Sequence, residues 1–169
     1  MIDIHCHILP GIDDGSRNSK ESKALISEEI DQGINTIVFT PHFYAQRESV
    51  DHFLKKREHS FSHLQSTVQF EKTNLTTFLG AEVYYFGGIG KAEMVPALCI
   101  KGTDILLLEM PFCQWTKSIY EDVRLLVTKK KLTVVLAHVE RYFQFQKDRT
   151  VMEQVLTLPL IVQLNAGSF

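Results

Sequence analysis

Residues 104–109 read Asp-Ile-Leu-Leu-Leu-Glu and residues 133–138 read Thr-Val-Val-Leu-Ala-His. Both are apolar runs of strand length that end in a polar side chain. Continuous apolar runs are typical of strands covered on both faces, as in doubly wound sheets and (β/α) barrels. The terminal side chains, Glu109 and His138, are of types that bind metals in proteins. These two runs predict parallel strands with functional groups at their carboxyl ends.

The same pattern recurs along the 169-residue chain. Six strands are predicted, over residues 2–4, 36–39, 77–79, 104–108, 133–137 and 160–164. Helix-like stretches lie between most of them, over residues 19–32, 49–66, 117–130 and 148–156, with a weaker candidate at 91–98. Strands that alternate with crossover helices pair in parallel, because a parallel connection needs roughly a dozen residues or more. We therefore expect a single α/β domain.

Potential metal or phosphate ligands follow each predicted strand. They are His5, His7, His42, Glu82, Glu109, His138 and Asn165. In a (β/α) barrel the carboxyl ends of all strands open onto one face, so residues that are far apart in sequence converge there. This regularity favours a barrel, with about six of its strands present, over a doubly wound sheet.

The strongest local motif is His5-Cys6-His7. Side chains at alternate positions of a strand point the same way, so His5 and His7 can present two imidazoles to one ion while Cys6 faces away. Taken alone, the motif is equally compatible with two buried structural histidines. The choice between these interpretations depends on the other strand ends.

Carboxylates at those strand ends favour the metal interpretation. Glu82 and Glu109 follow apolar runs, where a carboxylate is costly to bury unless it is paired or bound to a metal, and no basic residue adjoins either one in sequence. An Asp13-Asp14-Gly15 loop adds further carboxylates. Mixed imidazole and carboxylate ligands suit manganese, iron or zinc. The ligands are numerous enough for two or three ions, and clustered divalent ions are typical of enzymes that hydrolyse phosphoesters.

Composition excludes several other functions. The formal net charge of −2 gives no general attraction to nucleic acid. No apolar stretch approaches the roughly 18 residues of a membrane span, and no signal sequence is evident, so a cytoplasmic protein is expected. Three cysteines predict free thiols, with Cys99 and Cys113 in the core. No arginine follows six positions after any cysteine, so a thiol-based tyrosine phosphatase mechanism is not expected.

Several motifs in order carry a family resemblance. They are His-x-His, Asp-Asp-Gly, the strand-terminal His42, residues 80–85 (Gly-Ala-Glu-Val-Tyr-Tyr), Glu109 and residues 137–142 (Ala-His-Val-Glu-Arg-Tyr). This set resembles the PHP superfamily, named for polymerase and histidinol phosphatase. It is similar to the manganese-dependent tyrosine phosphatase branch found in Gram-positive bacteria. The resemblance implies a distorted (β/α) barrel and a partner tyrosine kinase in capsule or exopolysaccharide synthesis.

The resemblance also implies roles for individual residues. His5, His7 and Glu82 would hold a first ion. Glu82 would bridge to a second ion held by Glu109 and His138, and Asp14 and His42 would hold a third. Arg141 would bind the substrate phosphate, which makes it, with His42, a catalytic candidate; a surface ion pair with Glu140 or Asp148 is the alternative for Arg141. The implied reaction is direct attack of a metal-held hydroxide on phosphotyrosine, without a phosphoenzyme.

One departure from the family pattern concerns length. Family members carry a later Asp-x-His motif, whereas this sequence ends at Asn165-Ala-Gly-Ser-Phe169 without it. Full barrels usually need about 250 residues. The expectation is therefore a truncated domain that lacks its last strand and helix and has weak or no activity. Its unpaired sheet edge would favour association with another copy.

The substrate remains open at this point. Aromatic side chains beside the predicted ligands, Phe43, Tyr44, Tyr84 and Tyr85, either form a slot for a phosphotyrosine ring or belong to the core. Tyr84 is the substrate-binding candidate among them. Histidinol phosphate or another phosphomonoester would use the same metals. A metal-binding remnant without turnover is the competing hypothesis.

Overall fold

The computed structural model describes residues 1–68, 70 and 73–165. The chain forms two compact units, Met1–Ala81 and Glu82–Phe169, and each is built on parallel strands. None of the helices in the described part of the chain is both long and apolar enough to cross a membrane. Whether the two units act as the single domain that the sequence predicts stays a prediction.

The described residues of the first unit form four strands and two α-helices. They are β1 (Ile2–Cys6), α1 (Ser19–Asp31), β2 (Thr36–Phe39), β3 (His42–Phe43), α2 (Val50–Thr67) and β4 (Thr76–Leu79). Strands β1, β2 and β4 form a parallel sheet in the order β1-β2-β4. The predicted strands and helices of this unit are therefore present, with ends shifted by one or two residues.

Local sequence explains where these helices begin and end. The Asn18 side chain accepts hydrogen bonds from the backbone N–H groups of Lys20 and Glu21 and so caps the start of α1. Gly33, at a φ of 83°, ends the helix in the left-handed conformation that glycine adopts most readily. The Ser49 hydroxyl accepts from the His52 N–H at the start of α2.

The core of the first unit lies between the sheet and its helices. It consists of Cys6, Ile8, Leu9, Ile26, Ile37, Phe39, Leu64, Phe70 and Leu79. Val38 and Phe39 of β2 are both buried, as expected for a strand covered on both faces. Burial of this apolar surface holds β1 and β2 in place, which matters because the polar residues that follow them are the predicted ligands.

The second unit has the same alternation. Its elements are β5 (Glu82–Tyr84), β6 (Ile105–Glu109), α3 (Lys117–Thr128), β7 (Thr133–Leu136), α4 (Thr150–Leu156) and β8 (Ile161–Val162), with 3₁₀ helices at Val95–Leu98 and Val139–Phe145. Strands β5, β6, β7 and β8 are neighbours in that order, and every pair is parallel. Helix α3 packs against α4 and β7.

A buried carboxylate ties α3 to the loop after β5. Asp122 accepts hydrogen bonds from the Tyr85 hydroxyl at 2.8 Å and the Gly88 N–H at 2.9 Å. Burial, and then the contact with Asp122, raises the pKa of Tyr85. Tyr85 is therefore a structural residue, and so is Phe43, which is 1% exposed. The core interpretation is correct for these two aromatics.

The structure corrects the sequence-based predictions in four places. Predicted strand 160–164 contains only the two strand residues of β8, and the candidate helix 91–98 is reduced to a 3₁₀ turn. The strand segments in the described ranges number eight rather than six, because β3 and β5 begin just after β2 and β4 end. The prediction that Cys113 lies in the core is wrong, since its side chain is exposed, whereas Cys99 is buried as predicted.

Candidate metal centre

His5 and His7 lie at the carboxyl end of β1. Their Nε2 atoms are 3.3 Å apart, so the two rings face each other as the His-x-His spacing predicts. The β1–β2 register shifts between Asp3 and Cys6. A bulge of this kind redirects side chains and is common beside active sites. Both imidazoles are half-buried, whereas Cys6 is buried and its thiol donates to the Val38 carbonyl.

Asp13 orients His7 and was not among the predicted ligands. Its Oδ2 atom lies 2.8 Å from His7 Nδ1 and accepts a hydrogen bond from the His42 N–H at 3.0 Å. Burial opposes ionisation of Asp13, but the hydrogen bonds from His7, His42 and Gly15 outweigh it and hold its pKa below the ordinary value. An ionised carboxylate only accepts, so His7 carries its proton on Nδ1 and its lone pair on Nε2. This arrangement resembles the carboxylate–histidine pairs that support metal ligands.

The loop that carries Asp13 packs tightly on β1. The Ser16 N–H donates to the His7 carbonyl at 2.9 Å, and the Gly15 N–H donates to Asp13 Oδ1 at 3.0 Å. A Cβ atom at Gly15 would collide with the carbonyl oxygen and the Cβ atom of His7. Only glycine therefore allows the loop to place Asp13 beside the imidazole. The Asp-Asp-Gly motif signalled this loop, but sequence alone did not indicate which aspartate faces His7.

Asp14 and His42 complete the group in the first unit. His42 Nε2 lies 3.6 Å from Asp14 Oδ1, and the side chain of Asp14 is 79% exposed. Ligand atoms of His7, Asp14 and His42 all lie within 4.8 Å of one another. His42 starts β3 rather than ending β2; Pro41, which has no N–H, lies between these two strands. The structure thus brings together the predicted ligands for the third ion.

A second group of predicted ligands lies in the other unit. His138 Nε2 is 2.9 Å from Glu82 Oε1 and 3.6 Å from Glu109 Oε1. Each of these residues is at most 6% exposed. Glu82 is the first residue of β5, Glu109 is the last residue of β6, and His138 follows β7 by two positions. Parallel pairing places Glu82 opposite Leu107, two residues before Glu109, and β7, which leads into His138, is the next strand along. The three residues predicted to hold the second ion therefore lie close together.

The backbone at His138 is unusual. Its φ of 33° lies in the left-handed region, which few residues other than glycine adopt. The His138 N–H donates to the Gln163 side chain at 2.8 Å, and the Val139 N–H donates to the Gln163 carbonyl at 3.0 Å. Gln163, which follows β8, therefore holds this turn in place. Nothing in the sequence pointed to that role.

The residues present fit a divalent metal. In the second unit, two buried carboxylates lie within 3.6 Å of one imidazole, and such a concentration of carboxylate oxygen in the interior is costly without a cation. In the first unit, His7 presents a lone pair whose orientation Asp13 fixes. Nitrogen and oxygen donors in this mixture suit manganese, iron or zinc.

The remaining site candidates lie in the second unit or near its ligands. Arg141 is exposed and lies on the 3₁₀ helix Val139–Phe145, and both of its interpretations, phosphate binding and a surface ion pair, stay predictions. Tyr84 is half-buried, and burial followed by the charge of Glu109 raises its pKa. Phe112 stacks on His138 with ring centroids 6.2 Å apart and is 39% exposed. Phe112 is an aromatic neighbour of the ligands that sequence analysis did not identify.

Cys6 does not suit nucleophilic catalysis. It is buried, and desolvation followed by the charge of Asp3 raises its pKa well above the ordinary value. A thiol in this state is a poor nucleophile. This geometry agrees with the prediction that no thiol mechanism operates.

Parallel-stranded units that carry these histidine and carboxylate groups define an α/β protein with candidate metal-binding groups. The chain belongs to the CpsB/CapC family of capsular polysaccharide synthesis, whose sequence profile matches residues 1–169. This result confirms the resemblance to the tyrosine phosphatase branch of the PHP superfamily.

Individual relatives agree with this assignment. The chain is 28% identical to the tyrosine-protein phosphatase CpsB of Streptococcus pneumoniae over 173 residues, which cover 98% of this chain and 68% of the relative. It is 28% identical to the tyrosine-protein phosphatase YwqE of Bacillus subtilis, covering 99% of this chain and 65% of YwqE. The chain thus spans about two thirds of the length of these relatives.

A solved structure supports the fold. It comes from a crystallographic study of YwqE and of Streptococcus pneumoniae CpsB, described there as metal-dependent tyrosine phosphatases. It matches with a TM-score of 0.80 and 25% identity over 99% of this chain and 67% of the other. The predicted α/β fold with parallel strands is therefore confirmed, and within the described residues neither sheet closes on itself.

Proposed function

We propose that this chain is a metal-dependent phosphatase that hydrolyses phosphotyrosine on proteins, with Mn²⁺ as its metal. The observation that carries the proposal is the buried cluster of Glu82, Glu109 and His138, with His138 Nε2 at 2.9 and 3.6 Å from the two carboxylates. Tyrosine-protein phosphatase relatives support the substrate class. Two or three ions are expected, from the number of candidate ligands.

Divalent ions, when bound, supply Lewis-acid activation of water and neutralise phosphate charge. Glu82, Glu109 and His138 would hold one ion, and His7, Asp14 and His42 would hold another. Asp13 accepts from Nδ1 of His7, so Nε2 is the nitrogen that would bind a metal. That Glu82 also serves the ion held by His5 and His7 stays a prediction.

Arg141 and Tyr84 are the proposed substrate-binding residues. A guanidinium can hold two phosphate oxygens at once and opposes the negative charge of the transition state. Arg141 is exposed and follows His138 by three residues, with its N–H donating to the His138 carbonyl at 3.0 Å. Tyr84, at the end of β5, and Phe112, which stacks on His138, offer aromatic surface for the tyrosine ring.

The biological setting follows from the family. A bacterial tyrosine kinase that acts in capsule synthesis is the proposed protein substrate, and the cytoplasm is the proposed location. Association of copies through an open sheet edge also stays a prediction. Because the chain spans 65–68% of the relatives' length, the rate of turnover by this chain is part of what the experiment below determines.

The test is hydrolysis of p-nitrophenyl phosphate, a phosphotyrosine peptide, a phosphoserine peptide and histidinol phosphate, with manganese added. We expect the two aryl phosphates to be hydrolysed best, because a phenolate leaves more readily than an alkoxide and aromatic surface borders the ligands. His138→Ala should abolish turnover. His63→Ala, which removes an exposed histidine of α2, is the matched control and should leave turnover unchanged.

Each outcome has a distinct meaning. Faster hydrolysis of histidinol phosphate than of the phosphotyrosine peptide would contradict phosphotyrosine as the substrate class. Bound metal, measured on the same sample, with no turnover of any ester would contradict phosphatase activity of this chain and favour a metal-binding remnant. Turnover that survives His138→Ala would contradict the proposed site.

A further inference from the structure

A cavity of about 580 Å³ in the first unit extends beyond the candidate ligands. Its lining includes Asp14 and His42 but also Tyr44, Arg47 and Lys56. Pockets that accept small ligands typically measure roughly 300–1,000 Å³, so this cavity has room for more than a phosphate group. Tyr44, Arg47 and Lys56 are therefore candidates for binding a part of the substrate other than its phosphate.

Short contacts connect Arg47 to the candidate ligand His42. The His42 and Tyr44 rings lie 5.2 Å apart, and the Arg47 guanidinium carbon lies 4.2 Å above the Tyr44 ring. The Arg47 N–H also donates to the Tyr44 carbonyl at 2.9 Å, which fixes the turn. An extended peptide advances roughly 3.3–3.6 Å per residue. A group bound at the Arg47 guanidinium would therefore lie within the length of about three extended residues of a group bound at His42.

The positive charges of this cavity are not equivalent. Lys56 Nζ lies 2.6 Å from Glu48 Oε1, and His52 Nδ1 lies 2.8 Å from Glu48 Oε2. Glu48 thus compensates the charge of Lys56. Arg47 is exposed, and its guanidinium forms no ion pair with any residue in the described part of the chain. Stacking on Tyr44 holds this uncompensated cation in the cavity.

We propose that Arg47, supported by Tyr44, binds an acidic side chain next to the phosphotyrosine of the substrate. This inference rests on the proposed function and specifies its substrate class as tyrosine-phosphorylated segments with a flanking Asp or Glu. A guanidinium matches a carboxylate with two parallel hydrogen bonds, which gives selectivity over the corresponding amide. The cavity that contains Arg47 is also lined by the candidate ligands Asp14 and His42, so the phosphate and the flanking carboxylate are recognised together.

Fluorescence anisotropy of labelled peptides tests this assignment without requiring turnover. The peptides carry a non-hydrolysable phosphonate analogue of phosphotyrosine, flanked by either Asp and Glu or Asn and Gln, and a third peptide has acidic flanks and plain tyrosine. The proteins are the unmodified chain, Arg47→Gln, Arg47→Lys and the control Arg124→Gln, which removes a half-buried arginine of α3 that pairs with Glu121. All contain added manganese.

We expect the unmodified chain to bind the acidic phosphonate peptide about fivefold more tightly than the amide peptide, in line with a partly exposed bidentate pair. Arg47→Gln should remove this preference, Arg47→Lys should retain part of it, and Arg124→Gln should leave it intact. The plain tyrosine peptide should bind at least an order of magnitude more weakly.

Other results would overturn the assignment. Equal binding of the acidic and amide peptides, or no binding of either, removes the flanking preference. An equal loss for both phosphonate peptides in Arg47→Gln would show that Arg47 holds the phosphate itself. Hydrolysis of p-nitrophenyl phosphate separates the two proposals: turnover without a flanking preference contradicts only the Arg47 role, whereas the preference without turnover contradicts only the phosphatase activity.

Discussion

The two units hold their candidate ligands in opposite surroundings. In residues 1–81 the ligands are half-buried or exposed and mostly imidazoles, and Asp13 supports His7 from behind. In residues 82–165 they are buried and mostly carboxylates. Imidazoles and exposed carboxylates need no nearby cation to be stable. Two carboxylates that are both at most 6% exposed carry a large desolvation cost, which a bound cation would offset. The buried group should therefore depend more strongly on metal than the exposed group.

Removing one buried carboxylate should have the largest effect. We expect Glu109→Gln to reduce turnover by more than about 100-fold and bound metal by about one ion per chain, because the change removes a charged ligand where water cannot replace it. Glu121→Gln, at an exposed position on α3, is the matched control. Metal analysis and kinetics on the same preparations measure the effect. A loss of turnover below tenfold would contradict the stronger metal dependence of the buried group.

The supporting carboxylate of the first unit should matter less. Asp13→Asn keeps the size of the side chain but replaces an ionised acceptor with an amide, so His7 loses the charge that fixes its proton. Loss of such a partner typically lowers metal affinity by about 10- to 100-fold. Titration with manganese, followed by calorimetry, measures this change. Affinity equal to that of the unmodified chain would mean that Asp13 does not orient a ligand.

The Asp13 loop offers a test at the level of stability. Gly15→Ala forces the new methyl group into the backbone of His7 and should cost about 2–3 kcal/mol of unfolding free energy, measured by urea denaturation. Gly87→Ala is the control, since a Cβ atom there meets nothing within 4 Å. A similar loss of unfolding free energy in the two variants would show that the loop can shift to accommodate the methyl group, and that its close packing on His7 is not required for stability.

The smallest expected effect concerns Glu48. Burial opposes its ionisation, but Lys56 and His52 outweigh burial and hold the pKa of Glu48 below the ordinary value of a glutamate. A lowered carboxyl pKa adds stability above the unfolded pKa, and this stability is lost as pH falls through the folded value. Glu48→Gln should therefore cost about 0.5–1 kcal/mol near neutral pH, and the difference should shrink as pH falls through the lowered pKa of Glu48 and vanish in stronger acid. A difference that is constant with pH in denaturant titrations would exclude the ion pairs as its cause.

The sequence was sufficient for most of the fold because periodicity is a local property. The apolar runs that became β2, β6 and β7, and the helices with an Asn18 or Ser49 cap, were predicted within a few residues. The predictions failed where tertiary contacts decide. Two-residue strands such as β8 depend on their neighbours, and the 3₁₀ helix Val139–Phe145 follows a left-handed residue that no pattern signals.

The candidate ligands could be predicted from the sequence, because histidine and carboxylate side chains at strand ends are recognisable by residue type alone. Glu82, Glu109 and His138 were named from strand ends, and the structure brings these three together. The supporting contacts were not predictable. Asp13 and Asp14 are adjacent and chemically alike, so only the backbone path shows which one contacts His7. Gln163 and Phe112 lack any ligand-like signature, and only folding reveals that they contact His138.

The most direct test of the central claim is a metal titration of turnover. Protein stripped with a chelator is supplied with increasing manganese while phosphate release from a phosphotyrosine peptide and bound metal are both measured. The account predicts that release rises in proportion to metal bound by the unmodified chain and stays at background in Glu109→Gln. Phosphate release from metal-free protein, or the same release in Glu109→Gln, would contradict it.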